Sequence, residues 1–333
     1  MCFLLNKNTI ALFKLKNKIT MKKLFKTFAF VAFCSLIVSC SNDSSSSGPG
    51  TIAEIASGNA NLSTLVSALN KCGLTSTFNS AGDYTVFAPT NDKFDAFLAA
   101  NGFANLDAVP VPLLTEILKN HVLTGSFYSD ELTTGYVKTL AKGAASTTNT
   151  LSMYVEVGST VKLNGGATNG GATVVTADIE ASNGVIHIVD HVIGLPTIVN
   201  HAVANSNFST LVGLVSDAGL VPTLDGTEGS PFTVFAPTNT AFTTFESQNP
   251  GVLASLNATQ VTSVLTYHVV GGANVLSNAI PTSPITTLES GTFTIAGTTI
   301  TDEQNRATGI VVVDVQASNG VIHAINNVLL PTL

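Results

Sequence analysis

The segment Tyr84-Thr-Val-Phe-Ala-Pro-Thr-Asn-Asp-Lys-Phe94 returns almost unchanged as Phe232-Thr-Val-Phe-Ala-Pro-Thr-Asn-Thr-Ala-Phe242. Each copy starts as a β-rich run. Pro89 and Pro237 then fix their own φ and push the preceding alanine out of the helical region. Thr90 or Asn91, and in the second copy Thr238 or Asn239, can accept from an orphan backbone N–H and so cap a helix. Phe94, Phe97 and Leu98 follow at helical spacing and are expected to face inward. The segment reads as a buried strand, a hard corner and a capped helix. Thr85, Phe87, Thr233 and Phe235 belong to its strand. It contains no nucleophile, general base or phosphate cradle, so it is a device for folding, and the chain holds it twice.

The repeat extends well beyond the corner, and self-similarity at this scale decides the architecture. Leu62, Leu65, Val66 and Leu69 form an i, i+3, i+4, i+7 stripe that Phe208, Leu211, Val212 and Val215 repeat. A second helix carries Leu114, Ile117, Leu118 and His121 in one copy, and Val261, Val264, Leu265 and His268 in the other. A β-branched run follows, 174–179 and 310–315. Each copy then has Ala-Ser-Asn-Gly-Val-Ile-His, at 181–187 and 317–323, where Asn183-Gly184 and Asn319-Gly320 signal a turn between strands. The offset between copies is 148 at the corner and 136 at the end. The first copy is therefore longer between its second helix and its final hairpin. The stretches 142–150 and 165–171 are the places for the extra residues, as surface loops with copy-specific contacts. Only Leu195-Pro196-Thr197 joins the copies, which predicts that they pack together with limited hinge motion.

The N-terminus reads as a targeting segment. Met21-Lys-Lys-Leu-Phe-Lys26 is basic, and Thr27 to Val38 is apolar but shorter than the roughly 20 residues of a membrane span. We read residues 1–39 as a signal peptide, with Met21 a possible true start. Leu36-Ile-Val-Ser-Cys40 resembles the bacterial lipobox, which makes Cys40 the lipidated residue, and residues 40–50 a lipidated cysteine with a flexible Ser/Gly tether. The expected location is the bacterial cell envelope, lipid-anchored, at the outer membrane or cell surface. The repeat then divides into domains 51–196 and 197–333.

Formal net charge is −7, but seven of the 14 basic residues precede Cys40 and all 21 acidic residues follow it. The processed chain would keep seven basic residues against 21 acidic, near −14. That balance argues against nucleic acid and against electrostatic docking on anionic membranes. Cys72 would be the lone cysteine of the body and reads as a small buried hydrophobe on a helix.

At these residues the chain resembles tandem fasciclin (FAS1) proteins over about residues 51–333. The resemblance rests on the Thr-Val-Phe-Ala-Pro-Thr-Asn corner, the Tyr267-His268 helix end, and Ala-Ser-Asn-Gly-Val-Ile-His with its following apolar run. The first copy departs from the pattern, with Asn120 before His121. The resemblance implies an α+β fold of two tandem FAS1-like domains, each a wedge-shaped β-sandwich flanked by short helices. It also implies extracellular adhesion or ligand binding without catalysis or cofactor. The partners expected are the membrane, through the lipid anchor, and an extracellular protein or polysaccharide.

His121 and His268 lie on apolar helix faces, where hydrogen-bonded core histidines are the rule. His187, Asp190 and His191 have ligand chemistry, but on a strand they do not converge. Asp302, Glu303 and Asp314 read as turn or solvated carboxylates, without the dense oxygen ligands of a calcium loop. No nucleophile elbow or Walker loop stands out, and nothing supports a hydrolase. The alternative to adhesion is a surface or periplasmic carrier of a small ligand or glycan, which requires a concave pocket with aromatic and polar lining.

Overall fold

A computed structural model describes residues 48–333. The leader, Cys40 and residues 41–47 of the tether lie outside the described residues.

In the first copy, α1 (Ile52–Ser57), α2 (Ser63–Lys71) and α3 (Thr75–Asn79) precede β1 (Tyr84–Pro89). After the corner come α4 (Asn91–Ala100), α5 (Val111–Asn120) and the short β2 (Val122–Thr124). The remaining strands are β3 (Gly135–Lys142), β4 (Thr150–Val157), β5 (Val161–Leu163), β6 (Ala172–Ala181) and β7 (Gly184–Val189). They pair in chain order, and β1 lies parallel to β7 in register Tyr84↔Gly184, which closes the sheet into a barrel. Helices α1, α2 and α5 cover one side. Leu62, Leu65, Phe94, Leu114 and Ile117 pack there with Ile186 of the sheet, while Phe87, Leu123, Met153 and Leu163 fill a second core. The periodicity reading holds for Phe94 and Leu98, which are buried, and Phe97 packs partly buried against them.

The second copy repeats the order with α6 (Ile198–Ala204), α7 (Ser209–Asp217), α8 (Val221–Asp225), β8 (Phe232–Pro237), α9 (Asn239–Gln248), α10 (Val252–Ser255), α11 (Ala258–Tyr267) and β9 (Val269–Val270). Its sheet is completed by β10 (Ile285–Thr286), β11 (Thr292–Ala296), β12 (Thr299–Thr301), β13 (Ala307–Ala317) and β14 (Gly320–Ile325). The strands run in the same cyclic order, and β14 is parallel to β8. Between β9 and β10 there is no ladder. The Leu288 N–H donating to Val269 O at 2.7 Å spans that seam. The architecture is the expected α+β one, a curved sheet capped by short helices in each copy.

The final hairpins turn on Ser182-Asn183 and Ser318-Asn319, since Ala181 pairs with Gly184 and Ala317 with Gly320. The glycines open the next strand rather than complete the turn. Gly184 has φ 150°, and a Cβ there would sit 2.0 Å from Tyr84 O; at Gly320 it would sit 2.2 Å from Phe232 O. The glycines thus let the parallel strand pair approach. Both long strands, β6 and β13, are bulged, with Asp178 and Asp314 at positive φ within the irregularity.

Candidate functional site in the groove between the copies

The motif residues are spent on the fold. Thr85 Oγ1 donates to Gly125 O at 2.7 Å and accepts from Phe127 N at 2.8 Å; Thr233 does the same with Ala273 O and Val275 N. His187 Nε2 donates to Phe127 O at 2.9 Å, and its Nδ1 accepts from Asp178 N at 3.2 Å. His323 repeats this with Val275 O and Asp314 N. The rings of Phe87 and Phe235 stack on these histidines. Each loop after β2 and β9 is therefore held from both sides.

Asn183 and Asn319 sit in the hairpin turns and are also clamps. Asn183 Oδ1 accepts from Ile52 N at 2.8 Å, and its amide donates to Phe78 O and Ser80 O. Asn319 ties Ile198 N and Leu224 O in the same way. Asn91 and Asn239 do not cap their own helices. Asn91 accepts from Thr64 N at 2.9 Å and donates to Ala60 O and Ser63 Oγ, so it caps α2, whose own N-cap residue Leu62 provides no side-chain bond. Asn239 serves α7 through Thr210 N, Ser206 O and Ser209 Oγ. The self-cap falls to Thr238, which accepts from Ala241 N at 3.2 Å. Thr90 sits at the corresponding position, but its hydroxyl bonds to the Asp92 carboxylate instead. Pro89 and Pro237 end their strands opposite Val189 and Ile325.

The helix-end histidines are also satisfied. A backbone carbonyl can only accept, so His121 Nδ1, 2.7 Å from Ile117 O, carries the proton, and Nε2 accepts from Ile193 N at 2.9 Å. His268 does the same between Val264 O and Leu329 N. Burial lowers both from the ordinary 6.5 to about 4, against the raising effect of the carbonyls. Burial also lowers His187 and His323. With both ring nitrogens engaged and the rings neutral, these four offer neither a free base nor a metal ligand. Tyr267 is held likewise, its hydroxyl donating to Thr292 O and accepting from Glu303 N. Burial pushes it up to about 12.

The other candidates separate. His187 is fully buried while His191 lies exposed beside Asp190, 3.2 Å away, and Asp190 accepts from Thr173 N. Asp302 departs from the solvated reading: it is buried and pairs with Arg306 at 2.6 Å. It also accepts from the backbone of Gln304, Arg306 and Leu330, so it fastens the β12–β13 turn to the chain's last segment. Glu303 and Asp314 accept from Thr292 N and Ser277 N respectively. Cys72 is a half-buried helix C-cap.

A concave surface open to solvent lies where the copies meet. β3 and β4 form one wall and β13 the other, around a groove of about 440 Å³. Tyr136 and Tyr154 meet there with ring centroids 4.9 Å apart. The Tyr136 hydroxyl bridges to the second copy, donating to His201 O at 3.3 Å and accepting from Asn205 Nδ2, and burial raises its pKa. Lys138 Nζ donates to Ser152 Oγ at 3.0 Å and to Asp314 O at 2.8 Å, and desolvation lowers its pKa. Val312 and Val313 stand exposed on the facing strand, and Asn207 on the rim. The tyrosines form the largely buried floor of the groove, and Val312, Val313 and Asn207 are exposed side chains along it. Sequence reasoning missed these residues. The one signal was the extra length of the first copy, whose β3 and β4 are longer than β10 and β11, their counterparts.

This is a two-copy sheet-and-helix fold whose motif histidines, threonines and asparagines are engaged in internal hydrogen bonds. The chain belongs to the fasciclin domain family, whose model matches residues 60–196 and 206–331. Proteins of this family are often extracellular and adhesion-related, and generally non-enzymatic. Among similar proteins, protein sll1483 of Synechocystis sp. is 40% identical over 143 residues, 43% of this chain and 72% of that protein. Human periostin is 28% identical over 259 residues, 75% of this chain and 28% of periostin. The structure of a FAS1 domain pair from the insect cell adhesion molecule fasciclin I superposes with a TM-score of 0.52 at 21% identity, covering 82% of this chain and 98% of that one, a likeness of fold.

Proposed function

We propose that this chain is an extracellular, non-catalytic binding protein of the adhesion type. It is held to the bacterial envelope, at the outer membrane or cell surface, by acyl chains on Cys40. Its contact face is the groove between the copies, which takes a segment of extracellular protein or polysaccharide. The observation that carries the reading is the groove itself: it joins Tyr136 and Tyr154 of one copy to Val312 and Val313 of the other, while the motif residues are tied up elsewhere. The description of fasciclin I as a cell adhesion molecule supports the same reading. Purified protein is expected to capture a defined subset of a glycan and matrix-protein array. Val313→Glu with Asn207→Ala, both at exposed positions, should weaken that capture at least tenfold without changing the melting temperature. Unchanged capture would remove the groove from the proposal. Cys40→Ala should release the protein from the envelope and abolish aggregation of cells that carry it. The alternative, a surface or periplasmic carrier, is favoured by one observation, a hollow beneath the helices of the second copy.

A further inference from the structure

The two copies share one frame, yet their helix–sheet cores are not equally filled. In the first copy the space between α1, α2, α5 and the sheet leaves about 20 Å³. In the second, the equivalent space between α6, α7, α8, α11 and the sheet is a cavity of about 250 Å³. Two substitutions between the copies run in that direction, while Leu62 of the first lining gives way to the larger Phe208, which does not line the second cavity. Phe78, whose ring is buried edge-on to Tyr84, is replaced by Leu224, and Leu69 is replaced by Val215; all four of the exchanged side chains line their respective spaces. Close-packed interiors rarely leave room larger than a water molecule, so a hollow of this size kept in one copy of a duplicated core calls for an occupant.

Its lining identifies the occupant's chemistry. The walls are aliphatic, and no charged side chain lines them. His268 contributes a ring whose two nitrogens are already bonded, and the Thr266 hydroxyl is turned back onto Thr262 O at 2.8 Å. Ser216 and Thr223, both exposed, supply the remaining hydroxyls at the rim. A charged or strongly polar guest would lose its hydration with nothing to replace it. An apolar cavity of roughly 150 Å³ is enough to stay dry and bind benzene. We infer that the second copy is a binding site for a compact, uncharged, hydrocarbon-like small molecule, entering past Ser216 and Thr223, and that the first copy has no such site.

The neutral fluorophore N-phenyl-1-naphthylamine, titrated into the purified protein, is expected to brighten saturably with one site per chain. Giving the second copy two side chains of the first, by Leu224→Phe with Val215→Leu, should weaken binding at least tenfold while the melting temperature holds or rises, because both residues line space that the second copy leaves empty. The converse pair, Phe78→Leu with Leu69→Val, should open the first copy and raise the stoichiometry towards two. Absence of saturable brightening in the parent, or a folded refilled protein that titrates as the parent does, would overturn the inference. Array capture by the groove is read separately, so failure of one proposal leaves the other standing.

Discussion

A histidine buried in its neutral form becomes a liability in acid. His121, His201 and His268 are wholly buried, and desolvation lowers each to about 4, against 6.5 for the free side chain. The folded pKa is depressed, so the unfolded chain takes up these protons first. The stabilising contribution is complete above about pH 6.5 and is lost as the pH falls towards 4. A shift of this size corresponds to on the order of 3 kcal/mol per histidine at the low-pH limit. The urea midpoint should therefore be flat from pH 8 to 7 and fall steeply between 6.5 and 4. His268→Gln should be less stable at pH 7, having lost part of the Val264–Leu329 link, but show a shallower acid slope. An acid slope equal to the parent's would show that His268 does not titrate as its burial requires.

At the scale of elements, the corner repeated in both copies differs in one testable detail. Thr238 bonds the first turn of α9, whereas the Thr90 hydroxyl is diverted to Asp92. Loss of an N-cap hydroxyl costs about 1 kcal/mol, so Thr238→Ala should lower stability by about that much in urea unfolding and Thr90→Ala by less. Equal losses would mean that both threonines cap. The strand, corner and helix were legible because their signals are local: Pro89 and Pro237 fix the backbone, and Phe94 and Leu98 recur at helical spacing. What Asn91 does was not legible from its neighbours. Its partners, Ala60, Ser63 and Thr64, lie a helix away in sequence and meet it only once α2 packs across the corner. The same holds for the clamping role of the turn residue Asn183, whose partners begin at Ile52, and for Asp302, whose burial depends on Arg306 and on Leu330 from the end of the chain. The groove was hidden for a related reason: it exists only where two copies meet.

At the scale of the molecule, the short link did foretell close packing, and the two longer stretches of the first copy turn out to serve it. The 142–150 stretch reaches the second copy's hairpin, where Ala145 N donates to Ser318 O at 3.0 Å. In the 165–171 stretch Asn169 donates to Asn200 O at 2.8 Å. Between them the Gln316 N–H reaches Ser152 Oγ at 3.0 Å, and Ser318 N bonds Pro196 O in the link itself at 2.7 Å. These loops thus carry copy-specific contacts, directed at the other copy. Gly143 is the tightest point: a Cβ there would lie 2.5 Å from Ser318 Cα, with backbone on the far side that has no rotamer to yield. If the junction couples the copies, residues 48–333 unfold in one calorimetric transition with matching van't Hoff and calorimetric enthalpies. Gly143→Ala should then push the hairpin away, resolve the melt into two transitions and enlarge the radius of gyration in small-angle scattering. Two transitions already present in the parent, or a variant that melts and scatters as the parent does, would mean that the copies touch without stabilising one another, and the groove between them would lose the rigidity on which its use as a contact face depends.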